Sequence, residues 1–178
     1  TKDIEDDRFA VIEGTDTFIY LQTGDPAQYT SKDGGKTLEM IKKFTLAGMT
    51  DFKKIQYSLT PKTTISNYQQ IKVYEGDKEL TILSLSSIGK EAVTGTIEVA
   101  ETLDLSKNYR VEIEGYGKKP VVPTSIFDSA YFIENYTYDG NDLGAVIDGN
   151  NTTFKVWAPT SSKVVLNLFE SGHEGKAY

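Results

Sequence analysis

Two-residue alternation between apolar and charged side chains is the feature that most constrains this chain. In the run 109–114, Tyr109, Val111 and Ile113 alternate with an arginine and two glutamates. Side chains on a β-strand point to opposite faces in turn, whereas a helix would place its apolar residues three or four apart. The run therefore predicts a strand with one face in a hydrophobic core and the other in water.

Similar short runs recur along the middle of the chain, separated by residues that favour turns. Pro61 is expected to end one strand, and Gly76-Asp77 is expected to turn the chain between two others. Glu101 to Lys107 has a helix-like pattern, with a turn between strands as the alternative. About seven short strands over residues 37–119 are typical of an immunoglobulin-like β-sandwich, so an all-β fold is predicted. Six of these runs are 38–46, 52–59, 71–74, 80–85, 96–99 and 109–114.

The region before this sandwich is also rich in β-forming residues. Residues 1–30 contain the runs Arg8–Ile12 and Asp16–Leu21, which are interpreted as a hairpin-like pair. Two strands alone do not bury a core in water, so 1–30 is predicted to be the C-terminal remnant of a larger β-sandwich module. Residues 31–36 are rich in glycine and lysine and are predicted to be a linker.

Residues 120–135 are predicted to form a stiff connector that ends in a short helix. Pro120 and Pro123 restrict the backbone, and Asp128 is expected to cap the helix at its N-terminus. We expect the aromatic residues here to pack one sandwich against the next, with stacking on a bound ligand as the less favoured alternative. These residues are Tyr131, Phe132 and Tyr136.

Residues 136–178 are predicted to be the start of another β-sandwich. Phe154 and Val156 alternate with Lys155 and Trp157, and a proline then ends the run. The run 164–169 alternates in the same way and predicts a second strand, paired with the first through the intervening turn. Trp157 is expected to lie in the sandwich core. Two strands would leave apolar edges exposed, which favours association.

Composition limits the possible partners. The chain of 178 residues has a net charge of −7 and a pI of about 4.8, so nucleic acid and anionic membranes are not expected as partners. A neutral ligand suits this charge better. The absence of cysteine excludes disulfides, thiolate metal sites and a cysteine nucleophile. No apolar run approaches the 18 or so residues of a membrane-spanning helix.

The sequence offers little for catalysis or metal binding. A nucleophilic triad needs a histidine partner, and His173 lies in the segment Ser171–Gly175, which is interpreted as a surface loop. The turn that holds Asp139 and Asn141 is only faintly similar to a calcium loop, because Leu143 takes the place of an oxygen ligand. We therefore predict no catalytic residue, no metal and no cofactor.

Two strings near the end of the chain carry a resemblance to a known family. The string YDGNDLGA at 138–145 is followed by TTFKVWAPT at 152–160 and KVVLNLF at 163–169. Together they resemble the opening of the β-sandwich that precedes the catalytic barrel in bacterial type I pullulanases. Isoamylases and glycogen branching enzymes have the same type of sandwich, but YDGNDLGA favours pullulanase.

The rest of the chain extends this resemblance. Residues 1–9 and 17–25 are similar to the end of the starch-binding module found at the N-terminus of many pullulanases. Lys2 and Asp3 match the lysine and aspartate that hydrogen-bond glucose hydroxyls there, whereas the stacking tryptophans of that module have no counterpart here. Residues 106–116 resemble the small sandwich domain that follows it.

The resemblance implies a non-catalytic N-terminal region of a pullulanase-like debranching enzyme that hydrolyses α-1,6-glucosidic bonds. Its partners would be α-glucans, namely starch, pullulan and glycogen, and the remainder of the enzyme, including the catalytic barrel. The chain would bind α-glucan and space modules, would be inactive alone, and would be secreted or at the surface of a Gram-positive-like bacterium. The alternative is a structural immunoglobulin-like segment of a cell-surface protein without glucan function.

Overall fold

A computed structural model describes residues 18–25 and 27–170. This part of the chain forms small sheets around a two-sheet sandwich, with one α-helix and two short 3-10 helices. The helix α1 spans Ala130–Tyr136, and the 3-10 helices span Tyr68–Gln70 and Ser125–Asp128. The strands are β1 (Ile19–Leu21), β2 (Gln28–Thr30), β3 (Glu39–Met40), β4 (Lys43–Asp51), β5 (Lys54–Thr64), β6 (Ile71–Glu75), β7 (Lys78–Glu79), β8 (Ile82–Leu85), β9 (Glu91–Val99), β10 (Tyr109–Ile113), β11 (Gly117–Pro120), β12 (Val122–Pro123), β13 (Gly144–Asp148) and β14 (Asn151–Lys155).

The central sandwich consists of a five-stranded and a four-stranded sheet. The strand orders are β12-β4-β5-β9-β8 and β11-β10-β6-β7. Neighbouring strands are antiparallel, except that β12 runs parallel to β4. The chain leaves one sheet after β7 and enters the other at β8. The all-β sandwich prediction is confirmed.

The core lies between the two sheets. Tyr109, Val111 and Ile113 are buried along β10, as their alternation predicted, and Val111 pairs with Val73 of β6. The five-stranded sheet buries Ile55, Tyr57, Leu59, Ile97 and Val99 against them. Ile126 and Phe132 extend the same core, so residues from the connector contribute to it.

One local prediction for the first strands is wrong. The alternation of Leu38, Met40 and Phe44 in the run 38–46 predicts one buried face for all three, but Leu38 and Met40 are exposed. A bulge between Phe44 and Leu46 shifts the alternation by one residue, so that Ala47 and Met49 point inward.

Pro61 does not end its strand, because β5 continues from Lys54 to Thr64. The ladder between β5 and β9 is interrupted between Ser58 and Thr63, so no sheet hydrogen bond from Pro61 is needed. The segment 101–107 forms turns rather than a helix, and buries Leu103 and Leu105.

At the N-terminal side, β1, β2 and β3 form a three-stranded antiparallel sheet. The run 16–21 therefore contributes β1, which pairs with β2, and its predicted partner Arg8–Ile12 lies outside the described residues. Residues 31–36 connect β2 to β3 as a loop. The Ser31 hydroxyl donates to Asp33 Oδ1 at 2.7 Å inside this loop.

At the C-terminal side, β13 and β14 form a two-stranded hairpin. Asp148 pairs with Asn151, which leaves Gly149 and Asn150 at the turn, and Gly149 has the left-handed φ of 58° that such turns require. The strand predicted at 164–169 is wrong, since the structure assigns no strand there. β14 pairs instead with β13, the strand that precedes it in the chain, and the apolar side chains of 164–169 are exposed.

Candidate functional site

The residues predicted to bind sugar, Lys2 and Asp3, lie outside the described residues and stay predictions. His173 also lies outside them. Within the described residues, no group of three or more His, Cys, Asp or Glu side chains is arranged to hold a metal ion. No helix in this part of the chain is long and apolar enough to cross a membrane.

Among the carboxyl groups of residues 18–25 and 27–170, three have a shifted pKa, and each shift is downward. The Ser31 hydroxyl and the Thr37 amide lower the pKa of Asp33 to about 2. The hydroxyl and amide of Ser106 lower the pKa of Asp104, and the Lys155 ammonium lowers that of Asp142. Glycosidic cleavage needs one carboxyl that keeps its proton near neutral pH. These three carboxyls are ionised there and serve only as hydrogen-bond acceptors or charges.

The aromatic residues of α1 pack against the sandwich. Ser129 caps the helix by accepting a hydrogen bond from the amide of Phe132 at 3.2 Å, so the predicted cap at Asp128 is wrong. Asp128 lies in the preceding 3-10 helix instead. The cap places Phe132 and Tyr136 one turn apart on the same helix face, where their rings stack at 5.3 Å.

Phe52 joins this aromatic cluster from the sandwich. Its ring stacks on Tyr136 at 5.4 Å and contacts Tyr131 at 4.5 Å between centroids. Phe52 and Phe132 are buried, so the cluster fastens the helix to the sandwich. Packing, rather than ligand stacking, therefore accounts for Tyr136 and Phe132.

Trp157 lies at the edge of the cluster. Its indole N–H donates to the backbone oxygen of Tyr136 at 2.6 Å, and its ring meets Phe132 edge-on at 6.4 Å. The side chain is 47% exposed, so the predicted burial in a core is wrong for the described structure.

A cavity of about 370 Å³ opens beside the exposed side of the indole. Tyr138 is one of its lining residues. The Tyr138 hydroxyl donates to Asp142, which also accepts from the Lys155 ammonium. The same contact with Asp142 raises the pKa of Tyr138 and of Lys155. The cavity thus combines aromatic and aliphatic surface with the hydroxyls of Tyr138 and Thr137, an arrangement that suits a small amphipathic ligand rather than covalent chemistry. Its lining is Phe132, Thr137, Tyr138, Leu143 and Trp157.

The fold and the site define an immunoglobulin-like all-β module with an aromatic junction to a further β-hairpin. No protein-family model matches the chain. Among solved structures, a pullulanase from an Anoxybacillus species, in complex with maltotetraose, is similar over 75% of this chain with 29% sequence identity and a TM-score of 0.51. The match covers 18% of that chain.

Two further pullulanases have the same fold. The pullulanase from Bacillus acidopullulyticus matches 76% of this chain and 30% of its own, with 16% identity and a TM-score of 0.64. The type I pullulanase from Bacillus subtilis, in complex with maltose, matches 80% of this chain and 20% of its own, with 18% identity and a TM-score of 0.52. The described chain is therefore similar to a part of pullulanases, as the sequence strings at 138–145, 152–160 and 163–169 predicted. It spans less than a third of their length, in agreement with a non-catalytic N-terminal region.

Proposed function

We propose that this chain is the non-catalytic N-terminal region of a pullulanase-like debranching enzyme, in which it binds α-glucan and spaces modules. The observation that carries the proposal is the match to the Anoxybacillus pullulanase, which covers three quarters of this chain and less than a fifth of that enzyme. The complete enzyme would hydrolyse α-1,6-glucosidic bonds in pullulan, starch or glycogen. It would act outside the cell, where such polymers are found.

Three further observations support a role with a neutral polymer. The net charge of −7 disfavours anionic partners, which need clustered basic residues. The ionised carboxylates on the surface are strong acceptors for sugar hydroxyls. Two of the similar structures are complexes with maltotetraose and with maltose.

The proposal is tested by mixing the full chain with insoluble starch and, in parallel, with cellulose. We expect partial depletion from solution by starch and none by cellulose, with no release of reducing sugar from pullulan. Lys2→Ala and Asp3→Ala variants are compared in the same assay, and weaker depletion would support their predicted role. If the same fraction of the chain stays in solution with starch and with cellulose, each at millimolar glucose equivalents, the result would contradict α-glucan binding and favour the structural alternative.

A further inference from the structure

A polar groove of about 880 Å³ lies at one end of the four-stranded sheet, on the face that points away from the core. Its floor is a row of side chains from three adjacent strands. Glu112 of β10 lies between Lys72 of β6 and Lys118 of β11 in the sheet register. Lys72 and Glu112 alternate with the core residues Ile71, Val73 and Val111, which fixes their outward direction. Lys118 faces the same side because it pairs with Glu112.

Ion pairs hold two of these floor side chains in place. The ammonium of Lys72 lies 3.3 Å from Glu79, and the carboxylate of Glu112 lies 2.9 Å from Arg110 Nε. Both pairs lie at the surface, so they orient side chains more than they stabilise the fold. The floor therefore presents donors and acceptors in a fixed order.

The first wall of the groove is the 3-10 helix Tyr68–Gln70 and its cap. The Asn67 side chain accepts from the Gln69 amide at 3.0 Å, and the Gln70 side chain accepts in return from the Asn67 amide at 3.4 Å. This reciprocal cap satisfies the amides that begin the helix and makes the wall rigid. The Gln69 side-chain amide makes no hydrogen bond to any described residue and lines the groove.

The second wall is the turn between β10 and β11. The amide of Glu114 donates to the backbone oxygen of Gln70 at 2.9 Å, which ties the two walls together. Gly117 has a φ of 81°, a left-handed backbone conformation that favours glycine, so the shape of this turn depends on it. The Glu114 carboxylate lines the groove and has no ion pair among the described residues.

The charges of the groove are balanced. Lys72 and Lys118 supply two positive charges, and Glu112 and Glu114 supply two negative ones. A strongly charged ligand would meet like charges as often as opposite ones, which opposes its binding. A neutral polyhydroxylated ligand fits, since every hydroxyl is both a donor and an acceptor.

We propose that this groove binds a short segment of α-glucan of the size of a maltooligosaccharide. The identity of the ligand rests on the proposed function, whereas the position of the site rests on the groove itself. The volume lies within the range of roughly 300 to 1,000 Å³ typical of ligand sites. No aromatic ring lines the groove, so binding relies on hydrogen bonds alone and has a dissociation constant on the order of millimolar.

The test is a nuclear magnetic resonance titration of the full chain with maltotetraose, with cellotetraose as the comparison ligand. We expect amide shifts confined to residues 67–72 and 112–118, saturating at millimolar maltotetraose, and clearly smaller shifts with cellotetraose. Gln69→Ala and Glu114→Ala together are expected to raise the dissociation constant about tenfold. Gln56→Ala with Glu134→Ala is the matched control, because both side chains are exposed outside the groove. We expect it to bind as the unmodified chain does.

Three outcomes would overturn the site. Shifts around Tyr138 and Trp157 without shifts in the groove would move the site to the aromatic cavity and leave the proposed function intact. Equal shifts with both tetrasaccharides would remove the assignment to α-glucan. If no amide shifts and starch does not deplete the chain, the groove site and the proposed function both fail. The amide spectrum of each variant shows whether it is folded.

Discussion

At the scale of single residues, a buried hydrogen bond joins Tyr57 of the core to Ser87. Burial raises the pKa of the Tyr57 hydroxyl, which therefore carries its proton at any physiological pH. Gly95 lies opposite Tyr57 in the sheet, and a Cβ there would come within 2.5 Å of both hydroxyl oxygens. The glycine makes room for the bond.

We predict that Tyr57→Phe lowers the free energy of unfolding by about 1–2 kcal/mol, because Ser87 loses its buried partner. Ser87→Ala should do the same, and the double variant should lose less than the sum of the two. Denaturant unfolding measures all three. If the effects of the two single variants simply add in the double variant, the hydrogen bond is contradicted. Tyr68→Phe, at a half-exposed tyrosine, is the control, and its free energy of unfolding should stay within about 0.5 kcal/mol of that of the unmodified chain.

Asp33 gives a prediction for pH. Its folded pKa is about 2, below the ordinary value near 4, so its contribution to stability is present above pH 4 and is lost as the pH falls toward 2. We expect the Asp33 carboxyl carbon to titrate near pH 2 by nuclear magnetic resonance.

Ser31→Ala should raise the pKa of Asp33 toward the ordinary value, because the Ser31 hydroxyl is its main hydrogen-bond donor. Ser129→Ala, far from this loop in the sequence, is the control and should leave the titration unchanged. A midpoint near pH 4 in the unmodified chain would show that the loop is not held in this way.

At the scale of elements, the segment after β11 is part of the sandwich. The Thr124 amide and hydroxyl both donate to the backbone oxygen of Met49, at 3.0 and 2.9 Å. Gly48 faces Thr124 so closely that a Cβ would lie 2.7 Å from its methyl group. Only glycine permits this approach, which brings Ile126 into the core.

We predict that Ile126→Ala lowers the free energy of unfolding by about 2–5 kcal/mol, since it leaves a cavity at a fully buried position. Ile133→Ala is the matched control on the neighbouring helix, where the side chain is 56% exposed, and should change stability by less than about 0.5 kcal/mol. Denaturant unfolding checks both. Equal effects would mean that the segment is not docked as described.

At the scale of the whole molecule, the residues from 143 to 169 expose many large apolar side chains, of which Ile147 is 76% exposed. Exposed apolar patches of this kind promote association. We predict concentration-dependent oligomers in light scattering, reduced in a double variant with Ile147→Lys and Leu166→Lys. Leu83→Lys, at a single exposed leucine of an edge strand, is the control and should not reduce them. A monomer at all concentrations would contradict the prediction.

The sequence by itself determined the fold class, the buried face of β10 and the likeness to pullulanases. Alternation and short strings are local properties, so they survive without knowledge of strand pairing. The sequence did not reveal the bulge after Phe44, the continuation of β5 beyond Pro61, or the cap at Ser129. It also did not reveal the exposure of Trp157.

Those features depend on which segments meet, and only the tertiary structure decides that. β14 pairs with β13 rather than with 164–169, and the indole of Trp157 lies at the surface. The polar groove likewise exists only because β10 lies between β6 and β11. That pairing places Lys72 beside Glu112, forty residues later in the chain, so no local pattern contains the site.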